Sequence, residues 1–450
     1  MNFPVLHVPG LGDGMTIALD AVLHVLISHG LAIGLVSMVV LFQALGAAGR
    51  GALWTRLGRS LLGPAVVTTT SVGAVTGVGI WFITGALAPG GIGSLIHLFF
   101  WPWFIEWIVF TAEVVFLLFY FFLWDRIAAT RPGLLLAVGC GYVVMAVLSA
   151  VLISGILGFM LTPDGWPSGQ GFMQAYFNPT FAPQCVLRIA GGLALGALLA
   201  LAYTAWRFDG AAEERGRALR LCGAVFFGAA AVAAAGGVVY FSRVPATYLT
   251  HWVFSVATSA FSQRPELPRL LNALAGLALV LAAASGLAKK PGLCRVLSIP
   301  ALILCVGLVA EFERVREFVR GPYLIPGYLY ANQIPLVQTL SSAQAGTLPD
   351  LRWLGGSGED APGAVAGRAL FDANCAVCHT IGGVNDITER IAGRTLEGVN
   401  AITSITETMV PFMTPFSGTQ QERLTLSTYL YVLANKNSRP APQLREEKTQ

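Results

Sequence analysis

The chain has 450 residues, 55% of them hydrophobic and only 12% charged, against roughly 25% charged in a soluble globular protein. Several apolar runs exceed the roughly 18 residues that cross a bilayer as helix, so the sequence reads as a polytopic membrane protein embedded in lipid. The net charge of +4 is small and its arginines sit in short loops rather than in a patch, which excludes a nucleic-acid partner.

Eight membrane helices are predicted, at 16–46, 62–88, 95–124, 134–160, 185–206, 220–241, 268–288 and 296–313. The first is long enough to remain a helix, and no cleavable signal peptide stands out. One alternate set of loops is basic: Arg50, Arg56 and Arg59; Arg126 and Arg131; Arg207, Arg215, Arg217 and Arg220; Lys289, Lys290 and Arg295. In the other set, 89–94 and 161–184 carry no basic residue and 242–267 carries only Arg243 and Arg264. The positive-inside rule makes the basic set cytoplasmic, so both termini are expected on the outer side of a bacterial inner membrane. No internal repeat is apparent.

Ionisable residues inside apolar spans are costly and mark cofactor or proton sites. The first helix carries His24 and His29, five apart and so on different faces. Glu106 and Glu113 in the third helix are seven apart and share a face. The eighth ends in Glu311-Phe312-Glu313-Arg314, with Arg316, Glu317 and Arg320 beyond. His24, Glu106, Glu311 and Glu313 fall in the outer half of the membrane, the pattern of a haem and proton site. The alternative is a set of helix-end residues that snorkel or cap. Five cysteines (Cys140, Cys185, Cys222, Cys294, Cys305) lie in or beside apolar segments and read as buried thiols.

Residues 326–360 read as a linker over the outer surface, 361–440 as a small helical domain, and 441–450 as a tail. Within the domain stands Cys375-Ala376-Val377-Cys378-His379, the CxxCH attachment site of a covalent c-type haem. Each thiol forms a thioether to the haem, and the adjacent imidazole of His379 reaches the iron. A sixth ligand is expected from Met413 or Met409. Met413-Thr414-Pro415-Phe416, Thr419, Glu422 and Tyr429-Leu430 resemble the methionine loop and final helix of class I cytochromes c. That resemblance implies Met413 as the ligand, with Met409 as a contact on the haem edge.

Residues 16–325 resemble subunit I of the cytochrome bd oxygen reductases. The likeness rests on Leu23-His24, Gly73-Ala74-Val75-Thr76-Gly77, Ile105-Glu106 to Glu113 and Phe121-Phe122-Leu123-Trp124-Asp125-Arg126. Asn178-Pro179 and Arg320-Gly321-Pro322-Tyr323 continue it. The resemblance implies His24 as axial ligand of a high-spin haem and Glu106 and Glu113 as the paired carboxylates of the proton route. It further implies Glu311, or Glu313, as ligand of a second high-spin haem. Where the family places the ligands of its low-spin haem, this chain has Leu187 and Leu271, which cannot bind iron. Cys185 is a substitute ligand or a structural thiol. The family's long quinol loop shrinks to 242–267, where His251 and Trp252 read as packing residues. His29 and His97 read as satisfied histidines.

The expected fold class is therefore all-α: a polytopic bundle of about eight helices, residues 1–325, with a C-terminal cytochrome c-type helical domain. The expected cofactors are covalent haem c and one or two high-spin haems of b or d type. The resemblance implies a second membrane subunit, and the outer c haem implies a periplasmic electron carrier as donor. The expected function is a respiratory-chain oxidoreductase that passes electrons inward from the c haem to reduce a small oxidant, O2. The alternative is a non-catalytic electron-transfer or anchor subunit of a larger complex. A transporter reading finds no inverted repeat to support it.

Overall fold

The computed structural model describes residues 5–169, 171–251, 266–351 and 362–436. Among them, eight helices are long and apolar enough to cross a membrane. They are α1 (Asp13–Ala47), α2 (Ala52–Leu87), α3 (Phe100–Ile127), α4 (Pro132–Phe159), α5 (Phe181–Trp206), α6 (Ala212–Arg243), α7 (Glu266–Leu287) and α8 (Pro291–Val319). Each matches one predicted span. The principal differences are at polar ends: α2 begins early enough to include Arg56 and Arg59, and α8 runs on through Glu313, Arg316 and Glu317. Arg56 pairs with Glu214 at 2.7 Å, while Arg59 chelates Asp125 at 2.6 and 2.8 Å, so the early ends of α2 and α6 and the late end of α3 meet on one side.

The chain separates into two compact units. One spans Ala18–Ile83 and Ile92–Arg320 and holds the bundle; the other collects described residues of Met1–Ile17, Thr84–Gly91 and Gly321–Gln450. This partition cuts across the sequence-based division, because the N-terminal segment and the turn after α2 join the C-terminal residues.

The bundle's core draws on all eight helices, with Val36, Phe42, Leu57, Leu198, Leu219, Ala282 and Cys294 among its fully enclosed residues. Its outer surface is the reverse of a soluble protein's: Val75, Phe82, Trp107, Phe122, Val238 and Ile303 stand more than 60% exposed. Such a surface requires lipid as solvent. Without a hydrophobic force between helices in lipid, close backbone packing must hold them. Gly30 and Gly34 of α1 face Leu195, Gly192 and Gly196 of α5, and a Cβ on Gly34 or Gly196 would strike the opposing backbone. Gly34→Leu is expected to lower the unfolding free energy in detergent by about 1–3 kcal/mol, the cost of overpacking. Thermal melting of the purified variant measures it.

In the second unit, helices Pro362–Asn374 and Gln420–Lys436 cross at Gly367, whose missing Cβ lets Tyr429 lie against the backbone. Leu370, Phe371, Val399, Leu426 and Leu430 fill the core around this crossing. The predicted linker, 326–360, carries regular structure over its described part: strand Leu329–Tyr330 pairs antiparallel with Tyr323–Ile325 just before the linker, and helix Leu336–Ala345 follows. The buried Glu422 carboxylate then accepts the backbone N–H groups of Thr347 at 2.9 Å, Leu348 at 2.8 Å and Thr419 at 2.8 Å. This carboxylate ties 347–348 to the final helix, a long-range bond that composition could not show.

Candidate functional site

His24 lies where α1 meets α2. Its Nδ1 is 3.3 Å from the Gly73 carbonyl and 3.3 Å from Thr76 Oγ1. Donation from Nδ1 to that carbonyl fixes the tautomer and leaves the Nε2 lone pair free, the form in which imidazole binds iron. The Gly73-Ala74-Val75-Thr76-Gly77 run explains itself here. A Cβ on Gly77 would lie 2.9 Å from His24 Cε1, and one on Gly73 would lie 2.8 Å from Ile27. Both helices also carry π-helical turns at this level, Leu26–Leu35 and Thr69–Gly73. Such turns gather at functional sites. One turn before His24, the carboxylate of Asp20 packs on Gly79, its Oδ2 buried and without a partner among the described residues. Sequence reasoning passed over Asp20, although its i, i+4 spacing to His24 inside a span was a signal.

Glu106 and Glu113 share one face of α3 and meet α4. Ser149 Oγ donates to Glu106 at 2.8 Å, and the Tyr142 hydroxyl lies 3.2 Å from Glu113 and 3.0 Å from the Ala32 carbonyl. The same face continues to Tyr120, which donates to Gln43 at 2.8 Å, and Gln43 in turn donates to the Pro132 carbonyl at 3.1 Å. Two of these carboxylates thus stand in a file of hydroxyls and amides along the helix.

The end of α8 divides its carboxylates. Glu311 accepts from Asn272 at 2.9 Å. Glu313 is held by two guanidinium groups, Arg188 at 2.7 Å and Arg316 at 3.0 Å. Glu317 pairs with Arg320, which is 1% exposed. The structure therefore sets Glu311 and Glu313 in different surroundings, one with a single amide donor and the other already paired. Around the ion pairs, Arg188 Nε, Arg316 Nη1, Arg320 Nε and Nη1, both amide atoms of Gln184 and Nε2 of His29 are buried without a partner among the described residues. A buried unsatisfied donor costs about 1–3 kcal/mol, so a group of such donors fits a site for an anionic cofactor edge. Arg188 and Gln184, one turn apart near the start of α5, were the sequence signal passed over.

Leu187 packs on Gly237 of α6 and Leu271 is 41% exposed on α7, so neither position presents a ligand. Cys185 is buried in α5. His251 Nδ1 lies 3.1 Å from the Val319 carbonyl, His97 is exposed, and Trp252 falls outside the described residues.

The CxxCH segment follows directly on helix Pro362–Asn374, where the N–H groups of Cys378 and His379 both donate to the Cys375 carbonyl, at 3.1 and 2.9 Å. This turn brings both sulfurs and the imidazole into one short loop. His379 Nδ1 is 3.3 Å from the Asn385 carbonyl, the same arrangement that leaves Nε2 free at His24. Burial, aided by Arg390 and opposed by that carbonyl, lowers the His379 pKa, so the ring stays neutral and fit to bind metal. Met413 is half-buried in the turn before the final helix, whereas Met409 is 45% exposed.

The N-terminal segment clasps this loop. Val384 N–H donates to the Gly10 carbonyl at 2.6 Å, and Gly14 N–H donates to the carbonyl of Val377, inside the pentapeptide, at 3.1 Å. Asp13 holds the segment's shape by accepting from Val8 N–H at 2.9 Å and from His7 Nδ1 at 2.7 Å. Burial lowers the His7 pKa, but the bond to Asp13 and the charges of Asp372 and Asp13 outweigh it and Arg368, so the net shift is upward. A raised folded-state pKa means that protonation stabilises the clasp fully below the unfolded value near 6.5 and that this support is lost as pH rises through the folded value. Proteolytic protection of residues 5–14 is expected to fall as pH rises above the ordinary histidine value of about 6.5, and His7→Asn to remove that dependence.

The family described as cytochrome bd terminal oxidase subunit I matches residues 15–241, just over half of the chain. Comparison with curated proteins gives no match. Among solved structures, the bd oxidase from Geobacillus thermodenitrificans is similar in fold, with TM-score 0.59 and 17% identity over 71% of this chain and 90% of that one. The eight membrane-length helices agree with that match, and the chain belongs to the cytochrome bd terminal oxidase subunit I family.

Proposed function

We propose that this chain is a respiratory oxidoreductase subunit in a bacterial inner membrane that takes electrons at an outer-face c-type haem and delivers them to O2 inside the bundle. Cys375 and Cys378 hold the covalent haem, with His379 and Met413 on the iron. His24 and Glu311 hold one or two high-spin haems of b or d type in the membrane. Haem supplies one-electron transfer and, where an iron face stays open, oxygen chemistry. Glu106 and Glu113 hold and move protons at their carboxylate oxygens, in the file shared with Ser149 and Tyr142. The donor is a periplasmic carrier, and a second membrane subunit completes the enzyme.

The observation that carries this reading is the clasp. The segment before α1, the turn after α2 and the residues after α8 gather in one compact unit around the CxxCH loop. An even number of spans puts all three on one side, and the arginine-rich helix ends at Arg56, Arg59 and Arg126 belong to the other. Haem attached at Cys375 and Cys378 thus stands on the outer face. The short 242–267 loop and the aliphatic Leu187 and Leu271 support an electron entry other than quinol.

The deciding experiment is a haem inventory on the purified chain, with optical spectra of oxidised, reduced and CO-bound forms. Both a c-type haem and a non-covalent haem are expected, together with CO binding and oxygen uptake from a reduced soluble cytochrome. Only c-type haem would remove the reading. CO binding without oxygen uptake favours a subunit that conducts electrons and leaves the chemistry to a partner.

A further inference from the structure

We propose that Arg188 and Gln184 of α5, with Arg316 and Arg320 at the end of α8, form the seat for the two acid side chains of the membrane porphyrin. This inference rests on the reading that the bundle holds a haem. These residues form one cluster: Arg188 and Arg316 share Glu313, and the Tyr240 ring lies among Arg188, Glu313, Arg316 and Arg320. Three guanidinium groups face two carboxylates there, Glu313 and Glu317. One positive charge is left over, and the three guanidinium groups are themselves at most 11% exposed, although Glu317 reaches the surface.

The unused groups are nearly all donors. Arg188 Nε, Arg316 Nη1, Arg320 Nε and Nη1 and Gln184 Nε2 are buried and have no partner among the described residues. Guanidinium is the side chain best suited to hold a carboxylate through two parallel bonds. The donors fall into two pairs, each spanning one helical turn: Gln184 with Arg188, and Arg316 with Arg320. Two pairs suit two acid groups. Phe312 lies against the Arg188 guanidinium at 5.8 Å and Tyr240 is buried beside it, so flat apolar surface borders the charged groups. A lipid phosphate would offer the same anionic chemistry, but Gln184 and Arg320 are at most 1% exposed and lie beyond the reach of a headgroup at the protein surface.

The test uses the full-length purified protein. Arg188→Gln and Arg316→Gln are compared with the parent by redox titration of the non-covalent haem and by its ratio to covalent haem. Losing a positive charge beside the acid groups favours the ferric state. Each variant is expected to shift the ferrous–ferric balance about tenfold, a fall of roughly 59 mV for one electron, while the c-type haem keeps its potential. Should the variants fail to fold, parent protein stripped of its non-covalent haem is reloaded with iron protoporphyrin or with its dimethyl ester. The ester is expected to bind at least about tenfold more weakly. Equal binding of acid and ester, or potentials unmoved in both variants, overturns the assignment. A phospholipid that copurifies with the parent and is lost from Arg188→Gln, with the potential unchanged, overturns it in favour of a lipid headgroup. A parent with no non-covalent haem overturns both this seat and the function it rests on.

Discussion

Substituting alanine for Cys375 and Cys378 together is expected to abolish covalent haem and to reduce oxygen uptake from a soluble cytochrome donor to background. The argument is local chemistry. Both thiols lie in the turn closed by the Cys375 carbonyl, and burial together with Cys378 and Asp372 pushes the Cys375 thiol up to about 12. It is therefore a protonated thiol at neutral pH, unlike the depressed thiolates of redox-active CxxC pairs or metal sites. A haem held by His379 alone would be extractable by acidified solvent, and the c-type pyridine haemochrome spectrum would vanish. The spans lie in a different compact unit, so the spectra of non-covalent haem should be retained. Full oxygen uptake from the cytochrome donor in the double variant would show that electrons enter elsewhere.

The parts of this protein legible in its sequence are those written contiguously. Eight apolar runs gave eight helices, because crossing lipid demands an unbroken hydrogen-bonded segment wherever it occurs. The CxxCH pentapeptide was equally legible as a motif, because its two thiols and its imidazole are adjacent in sequence and one short turn holds them together. Helix ends were harder. The run predicted to stop at 313 continues to Val319 because Arg316 and Arg320 find Glu313 and Glu317 one turn back. Hydropathy sees four charges there and stops. Pairing across the chain was harder still: Gly10 with Val384, Glu422 with Thr347 and Arg188 with Glu313 join residues more than 70 positions apart. Nothing local marks them. Gly77 illustrates the middle ground, a motif residue quoted for a family likeness whose reason, room for the His24 ring, only the packing supplies.

Glu113→Gln is expected to slow oxygen consumption by about 10²–10⁴, the range lost when a positioned general acid or base is removed, while leaving haem content and spectra intact. Glutamine keeps the shape and still accepts from the Tyr142 hydroxyl, so packing against α4 survives. What it cannot do is carry a proton. Tyr142→Phe removes the donor at 3.2 Å and leaves the carboxyl in place, and is expected to cost less than Glu113→Gln. Glu106 stands two helical turns along the same face with its own donor, Ser149, so Glu106→Gln should resemble Glu113→Gln in direction. On the proposed proton route the two carboxyls act as a unit, and the double variant should then be little slower than the worse single one. Stopped-flow reduction of the c-type haem should stay unchanged throughout, since electrons enter before protons are needed. If Glu113→Gln keeps turnover within about twofold of the parent, the α3 carboxylates hold helices together through Ser149 and Tyr142, and the protons travel elsewhere.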